Sequence, residues 1–290
     1  MSKPITFKKL VASSLTTAAM VFVSQGTFAH TRFETSSVAE GVKVHNAVNI
    51  GHGCPPSTAR KATFGTNVIF PNAVSYTPVI GVDSGAGKVY STTAATDFYA
   101  PLAGIGVMIR NGGAFPEYQY KADPLNNIDG FWAGGKAYDQ TISTPVQVEF
   151  ASAAVTIKPA SCARTVTFYA AISDHCSIDT PSTVATDEEV LYWSPIPNFA
   201  GVPGQPFDVA AKYSNFDGYQ DAAHTIKGDG WSSPATLKVT RNLTTNPLPS
   251  GCTGNAGAGD DIHVYPSAKQ INAEMPIWSG THQNGTNYWH

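Results

Sequence analysis

In PVQVEFASAAVTI (residues 145–157) and RTVTFYAAI (164–172), apolar and polar side chains alternate. Val146, Val148 and Phe150 fall on one parity of the first stretch. Val166, Phe168, Ala170 and Ile172 do the same in the second. A period of two puts one face of a strand against a core, whereas a helix would need apolar residues every three to four positions. The two stretches are therefore read as strands, joined through residues 158–163 as an antiparallel pair.

Upstream the same texture recurs in shorter pieces. GVKVHNAVNI (41–50) places Val42, Val44, Val48 and Ile50 on one parity and His45 on the other, so His45 is expected to point away from the apolar face. ATFGTNVIFP (62–71), PVIGVD (78–83) and GIGVMI (104–109) are further apolar runs bounded by glycine or proline. HTRFE (30–34) is a short strand candidate. Residues 124–130 read as a loop, and Phe131-Trp132-Ala133-Gly134-Gly135 as the way into another. No window carries a helical stripe. Many short strands with turn signals between them predict an all-β sandwich or barrel. After Cys176 the chain is rich in proline and aromatics, with one clear strand in ATLKVT (235–240), and from Asn242 onward it is rich in Gly, Asn and Pro. Residues 177–290 are expected to form an irregular extension folded against the sandwich, or a small second domain.

The 290 residues suffice for a buried core, and a formal charge of −3 gives no electrostatic footing for a nucleic-acid partner. Residues 1–29 have the three parts of a secretory signal: Lys3, Lys8 and Lys9, an apolar run over 10–23, and a polar exit ending in Ala29. The expected destination is the periplasm or the cell exterior, and no later apolar run is long enough for a transmembrane anchor. Four cysteines, Cys54, Cys162, Cys176 and Cys252, imply two disulfides with three pairings open.

Cleavage after Ala29 would make His30 the mature N-terminus. Its α-amine and imidazole Nδ1 can together chelate one metal ion, a histidine brace suited to the tetragonal preference of Cu(II). Both groups lose their protons near neutral pH, with ordinary pKa values of about 7.7–8.0 and about 6.5.

The start at His30, the turn Glu40-Gly41, the strand ending Gly51-His52-Gly53-Cys54, the run Val68-Ile69-Phe70-Pro71, the Trp132-x-Gly-Gly segment and the strand closing at Cys176 resemble the YcnI-like family of exported copper-binding proteins. The resemblance covers residues 30–176. It implies an immunoglobulin-like or cupredoxin-like β-sandwich, with Cu(II) held by the N-terminal His, a carboxylate from the next strand and a nearby tryptophan. His30 and Trp132 match by position. The carboxylate does not: Glu34 and Glu40 are the nearest acids, and His45 is the alternative donor. The metal ligands expected are thus His30 with His45 or Glu40, and Trp132 beside the copper. The partners implied are the copper ion and a second copper-trafficking protein, with a role as chaperone or scavenger.

Other readings attach to the same residues. His52 is expected to fix its turn or to ligate. Histidine braces also serve copper monooxygenases that act on polysaccharides, but the second His and axial Tyr of such a site are not found together here. A structural or adhesive surface protein is the third class, carried by the Gly/Asn/Pro-rich tail. Asp260-Asp261 lacks the spaced acids of a calcium loop.

Overall fold

The computed structural model describes residues 31–53, 62–100, 107–108, 114–138, 145–176, 190–193 and 235–267, together with 270, 274, 278–279 and 282–283. Residues 1–29, where an export signal is expected, and His30, Cys54 and His290 lie outside these residues.

The strands begin with β1 (Arg32–Phe33), β2 (Ser37–Ala39), β3 (His45–Ile50), β4 (Thr63–Ile69), β5 (Val79–Asp83), β6 (Lys88–Ser91), β7 (Val107–Met108), β8 (Glu117–Ala122) and β9 (Ile128–Tyr138). They continue as β10 (Val146–Ala151), β11 (Ala163–Tyr169), β12 (Ala171–His175), β13 (Val190–Tyr192), β14 (Thr236–Thr240), β15 (Asp260–Tyr265), β16 (Trp278–Ser279) and β17 (His282–Gln283). One helical turn, α1 (Ala95–Phe98), follows β6. A second, α2 (Gly254–Gly257), precedes β15 and is a tight turn in which Asn255 and Ala256 take left-handed angles. Among the described residues no helix is long and apolar enough to cross a membrane.

The protein is an all-β sandwich, built from a four-stranded sheet in the order β1-β3-β10-β7, a five-stranded sheet β13-β12-β4-β9-β8 and a six-stranded sheet β2-β14-β11-β15-β5-β6. The first two pack face to face through aromatic rings. Phe33 and Phe150 of the four-stranded sheet meet Phe70 at 5.3 and 5.6 Å, and Phe131 of β9 meets Phe150 at 5.9 Å. All four rings are buried, and each large apolar side chain removed from water contributes roughly 1.5–3 kcal/mol. The chain passes between the five- and six-stranded sheets at Ala170, where β11 gives way to β12. Val166, Phe168, Leu237, Val239, Ile262 and Val264 extend the same core into the six-stranded sheet.

Three local expectations are corrected. The stretches 145–157 and 164–172 do form strands, but they do not pair with each other. β10 lies between β3 and β7, whereas β11 lies between antiparallel β14 and parallel β15. Alternation tells which face is buried; it does not tell which strand is the neighbour. β14 and β15, within residues 236–265, flank β11 in the six-stranded sheet.

Phe131 to Gly135 is not a lead into a loop; it lies inside β9, the longest strand. Its glycines answer to close packing. A Cβ on Gly130 would stand 2.1 Å from the Val68 carbonyl oxygen, and one on Gly134 would stand 2.4 Å from the Trp132 ring. Finally, β3 starts only at His45, which leaves Val42 exposed.

Cys162 is disulfide-bonded to Cys252 with Cα atoms 5.5 Å apart, and Cys176 is also disulfide-bonded. Of the three pairings, the one containing Cys162–Cys252 is therefore selected.

Candidate functional site

Strand β12 is buried along its whole length, and it carries Asp174 with no solvent exposure. A carboxylate in such a place needs partners, because an unpaired buried charge is strongly disfavoured. Three elements supply them. Thr66 of β4, directly opposite in the register, donates Oγ1 to Asp174 Oδ1 at 2.6 Å. Trp193, just past β13, donates its indole Nε1 to Oδ2 at 2.7 Å. Thr31, at the start of β1, donates Oγ1 to the same Oδ2. Burial pushes the Asp174 carboxyl above its ordinary range, while the three hydrogen bonds and the nearby His52 pull it down.

His52 is half-buried, with its ring 6.4 Å from that of Trp193 in an edge-on arrangement. Its Nδ1 lies 2.7 Å from the Gly53 carbonyl oxygen. A carbonyl can only accept, so Nδ1 is the donor in that contact, and in the neutral ring Nε2 carries the lone pair. The turn-fixing role expected of His52 is met by this bond, and its second nitrogen stays open for other chemistry. The cluster thus brings together a carboxylate, an imidazole nitrogen and an indole, close to residue 31.

The expected site residues stand elsewhere. His45 is exposed at the far end of β3, on the outward parity. Arg32 pairs with Asn49, so Thr31 stands near the Ile50 end of the strand. Five residues at about 3.3 Å each separate His45 from that end, on the order of 16 Å. Glu40 is engaged structurally: its carboxylate accepts the Ile157 N–H at 3.0 Å, the Asn242 N–H at 2.8 Å and the Asn246 side-chain amide at 3.0 Å. Trp132 pairs with Asn67 in β4, one residue out of step with Thr66 and Asp174, and so faces the opposite side of the sheet, against Gly65 and Gly134. His30 lies outside the described residues. Of the expected set, then, the structure does not bring His45, Glu40 and Trp132 to one place.

Asp174 and Trp193 escaped sequence reasoning, although a signal existed. The signal is the acid of AISDHC directly after the alternating run 164–172, where a carboxylate carried on into the sheet would need partners. Other polar residues weighed from sequence have structural partners: Asp261 is ion-paired with Arg164, Asp260 accepts from Ser84 Oγ at 2.6 Å, and His263 Nδ1 lies 2.9 Å from the Tyr169 hydroxyl. Among the described residues, no group of three or more His, Cys, Asp or Glu side chains is arranged to hold a metal ion.

No family model matches the chain, and no curated protein does. Solved structures give distant likenesses. An uncharacterized protein from Nocardia farcinica with an immunoglobulin-like fold is 12% identical, with 73% of this chain and 98% of that one covered, at a TM-score of 0.32. A group B streptococcus pilus 2b backbone protein is 12% identical over 51% of this chain and 53% of that one, at 0.22. A type II cohesin dyad from the ScaA scaffoldin of Acetivibrio cellulolyticus is 14% identical over 71% and 47%, at 0.21. At these TM-scores the likenesses carry no argument, and the all-β assignment rests on the strands themselves.

Proposed function

We propose that the protein is an exported copper-binding protein whose mature form, beginning at His30, holds Cu(II) through the α-amine and imidazole of that residue. One observation supports this reading above the others: Thr31, the next residue, is buried and hydrogen-bonded to Asp174. Consecutive Cα atoms are about 3.8 Å apart across a trans peptide. The carboxylate is thus tied to the residue that directly follows the proposed ligand in the chain.

In this proposal Asp174 and His52 take the roles expected of Glu40 and His45, and Trp193 takes that expected of Trp132. Nitrogen and oxygen donors of this kind suit Cu(II). The hydrogen bonds from Thr66 and Trp193 fix the orientation of the Asp174 carboxylate, and the Gly53 carbonyl fixes the His52 tautomer. The protein acts as a chaperone or scavenger that takes up copper after export through residues 1–29 and passes it to a second copper-trafficking protein.

Equilibrium Cu(II) titration tests this reading, comparing the chain that starts at His30 with one that retains Ala29. The expected result is stoichiometric binding by the first and at least roughly tenfold weaker binding by the second, a difference of about 1.4 kcal/mol or more. Equal affinities would remove the α-amine from the site and overturn the proposal.

A further inference from the structure

On the five-stranded sheet, away from Asp174, a second group of buried polar side chains joins three distant parts of the chain. Asn72 follows β4. Lys121 and Asp123 end β8, and Asp129 lies in β9. Gln270 and Glu274 come from near the C-terminus. All six are buried.

The hydrogen bonds in this group do not balance. Gln270 Nε2 lies 2.7 Å from the Phe70 carbonyl oxygen, 3.1 Å from Asp129 Oδ2 and 3.0 Å from Glu274 Oε2. An amide nitrogen carries two hydrogens and so cannot serve three acceptors fully. Asn72 Nδ2 has its two hydrogens directed at Asp123 Oδ2 and Asp129 Oδ2, both at 2.9 Å. The remaining carboxyl oxygens, Asp129 Oδ1 and Glu274 Oε1, are buried without a hydrogen-bond partner. Asp123, by contrast, is saturated: the Leu125 and Asn127 backbone N–H groups, the Asn127 and Asn72 amides and the Ser75 hydroxyl all donate to it. Those bonds hold its carboxyl far below the ordinary range despite its burial.

One proton fills the deficit. A carboxyl O–H donates where an ionised carboxylate only accepts, and two carboxylates bridged by a single amide nitrogen in a buried place repel each other strongly. We infer that Asp129 and Glu274 share a single proton, with Glu274 as donor, and that this bond fastens the segment carrying Gln270 and Glu274 to the five-stranded sheet. The chain thereby carries a proton-dependent tie between Gln270, Glu274 and the sheet, a latch that weakens when the proton leaves.

Burial, then the neighbouring Asp129, push the Glu274 carboxyl up to about 8, and burial pushes Asp129 up as well. The sign follows from linkage. A carboxyl whose folded pKa lies above its unfolded value gives stability that is complete below the unfolded value and is lost as pH rises through the folded one. The latch's contribution is therefore complete below the ordinary carboxylate range, falls as pH rises from there, and is gone once pH has passed about 8. The other groups facing the pair are Asp123, Tyr76 and Lys121. Tyr76, hydrogen-bonded to Glu274, is itself pushed up to about 12, by burial and then by Glu274; it stays protonated throughout, and its one hydroxyl proton can serve only one of the two unpaired oxygens. Burial lowers Lys121 to about 7, against the pull of Glu274 and Asp129. Its contribution runs the other way, rising with pH, so the latch is read from differences between variants rather than from one profile.

The test uses the full mature chain, wild type beside Glu274→Gln and Asp129→Asn. Difference infrared spectra at pH 7 should show a protonated-carboxyl band in the wild type that both variants lack. Hydrogen exchange should show the Gln270 N–H, which donates to Ser267 Oγ, better protected at pH 7 than at pH 9 in the wild type, but equally protected at both in Glu274→Gln. The unfolding free energy of Glu274→Gln relative to wild type should rise between pH 7 and pH 9. Absence of the carboxyl band from the wild type would overturn the inference even if neither variant folds. So would a flat difference between wild type and Glu274→Gln, or loss of the band on adding calcium at constant pH, which would mark a cation site instead.

Discussion

The Thr31 hydroxyl and the Trp193 indole donate to the same oxygen of Asp174, so one buried carboxylate ties residue 31 to the strand pair β12–β13. The second oxygen is held by Thr66. Substitutions should separate the structural from the chemical part of this knot. An asparagine can turn its oxygen to Thr31 and Trp193 and its amide to the Thr66 oxygen, which is able to accept. Asp174→Asn should therefore lose only about 1 kcal/mol in urea denaturation, whereas Asp174→Ala, leaving buried donors unpaired, should lose about 2–4 kcal/mol. Under the copper proposal, Asp174→Asn should also weaken Cu(II) binding by roughly tenfold while the fold survives.

Gly130 is a packing requirement. The atom a side chain would meet there is the Val68 backbone oxygen, 2.1 Å from the new Cβ, and a backbone in a central strand cannot step aside. Gly130→Ala should cost about 3 kcal/mol or prevent folding. Gly87, at φ +97° with open space around it, separates strain from crowding. Gly87→Ala should cost only about 1 kcal/mol. Equal losses at the two positions would show that crowding across β4 and β9 is not what selects glycine.

Arg241 is buried and works as a hub. Its guanidinium nitrogens lie 2.7 to 3.0 Å from the backbone oxygens of Pro159, Ser161, Ala163, Asn246 and Pro247 and from the Asn246 side-chain oxygen, six acceptors sharing five N–H groups. A lysine has three donors on one atom and cannot span that fork. Arg241→Lys should lose about 2–4 kcal/mol in chemical denaturation, in the range for leaving several buried acceptors unserved. Retention of wild-type stability would mean that water replaces the guanidinium there.

The Cys162–Cys252 bond joins the turn before β11 to the turn before β15, across 90 residues of sequence. Replacing both cysteines by serine should reduce the unfolding free energy by about 2–4 kcal/mol, chiefly by loosening the unfolded chain. Thermal denaturation of oxidised wild type beside the double variant measures it directly.

The alternation in 145–157 and 164–172 made the strands legible, and the outward parity of His45 was legible for the same reason. Strand partners were not, because the strands flanking β11 come from more than sixty residues further along the chain, beyond the reach of local pattern. Glycine misled the reading of Phe131 to Gly135: in sequence Gly134-Gly135 signals a turn, but Gly134 in the sheet serves the close approach of Trp132. The site itself was legible only in outline. Position 30 drew attention through its chemistry, and the turn histidine His52 through its glycine neighbours. Asp174 and Trp193 become neighbours of residue 31 only once β12 and β13 pair and β1 docks beside them. Glu40 looked available because its three hydrogen-bond partners sit more than a hundred residues downstream.

The measurement that bears most directly on the copper proposal is electron paramagnetic resonance of the Cu(II)-loaded chain starting at His30, beside the version retaining Ala29 and the His52→Gln variant. The account predicts a tetragonal signal with nitrogen couplings from the α-amine, the His30 imidazole and His52. The amine coupling should disappear when Ala29 is kept, and one imidazole coupling should disappear in His52→Gln. Identical spectra from all three proteins would contradict it and leave copper bound, if at all, somewhere other than beside Thr31.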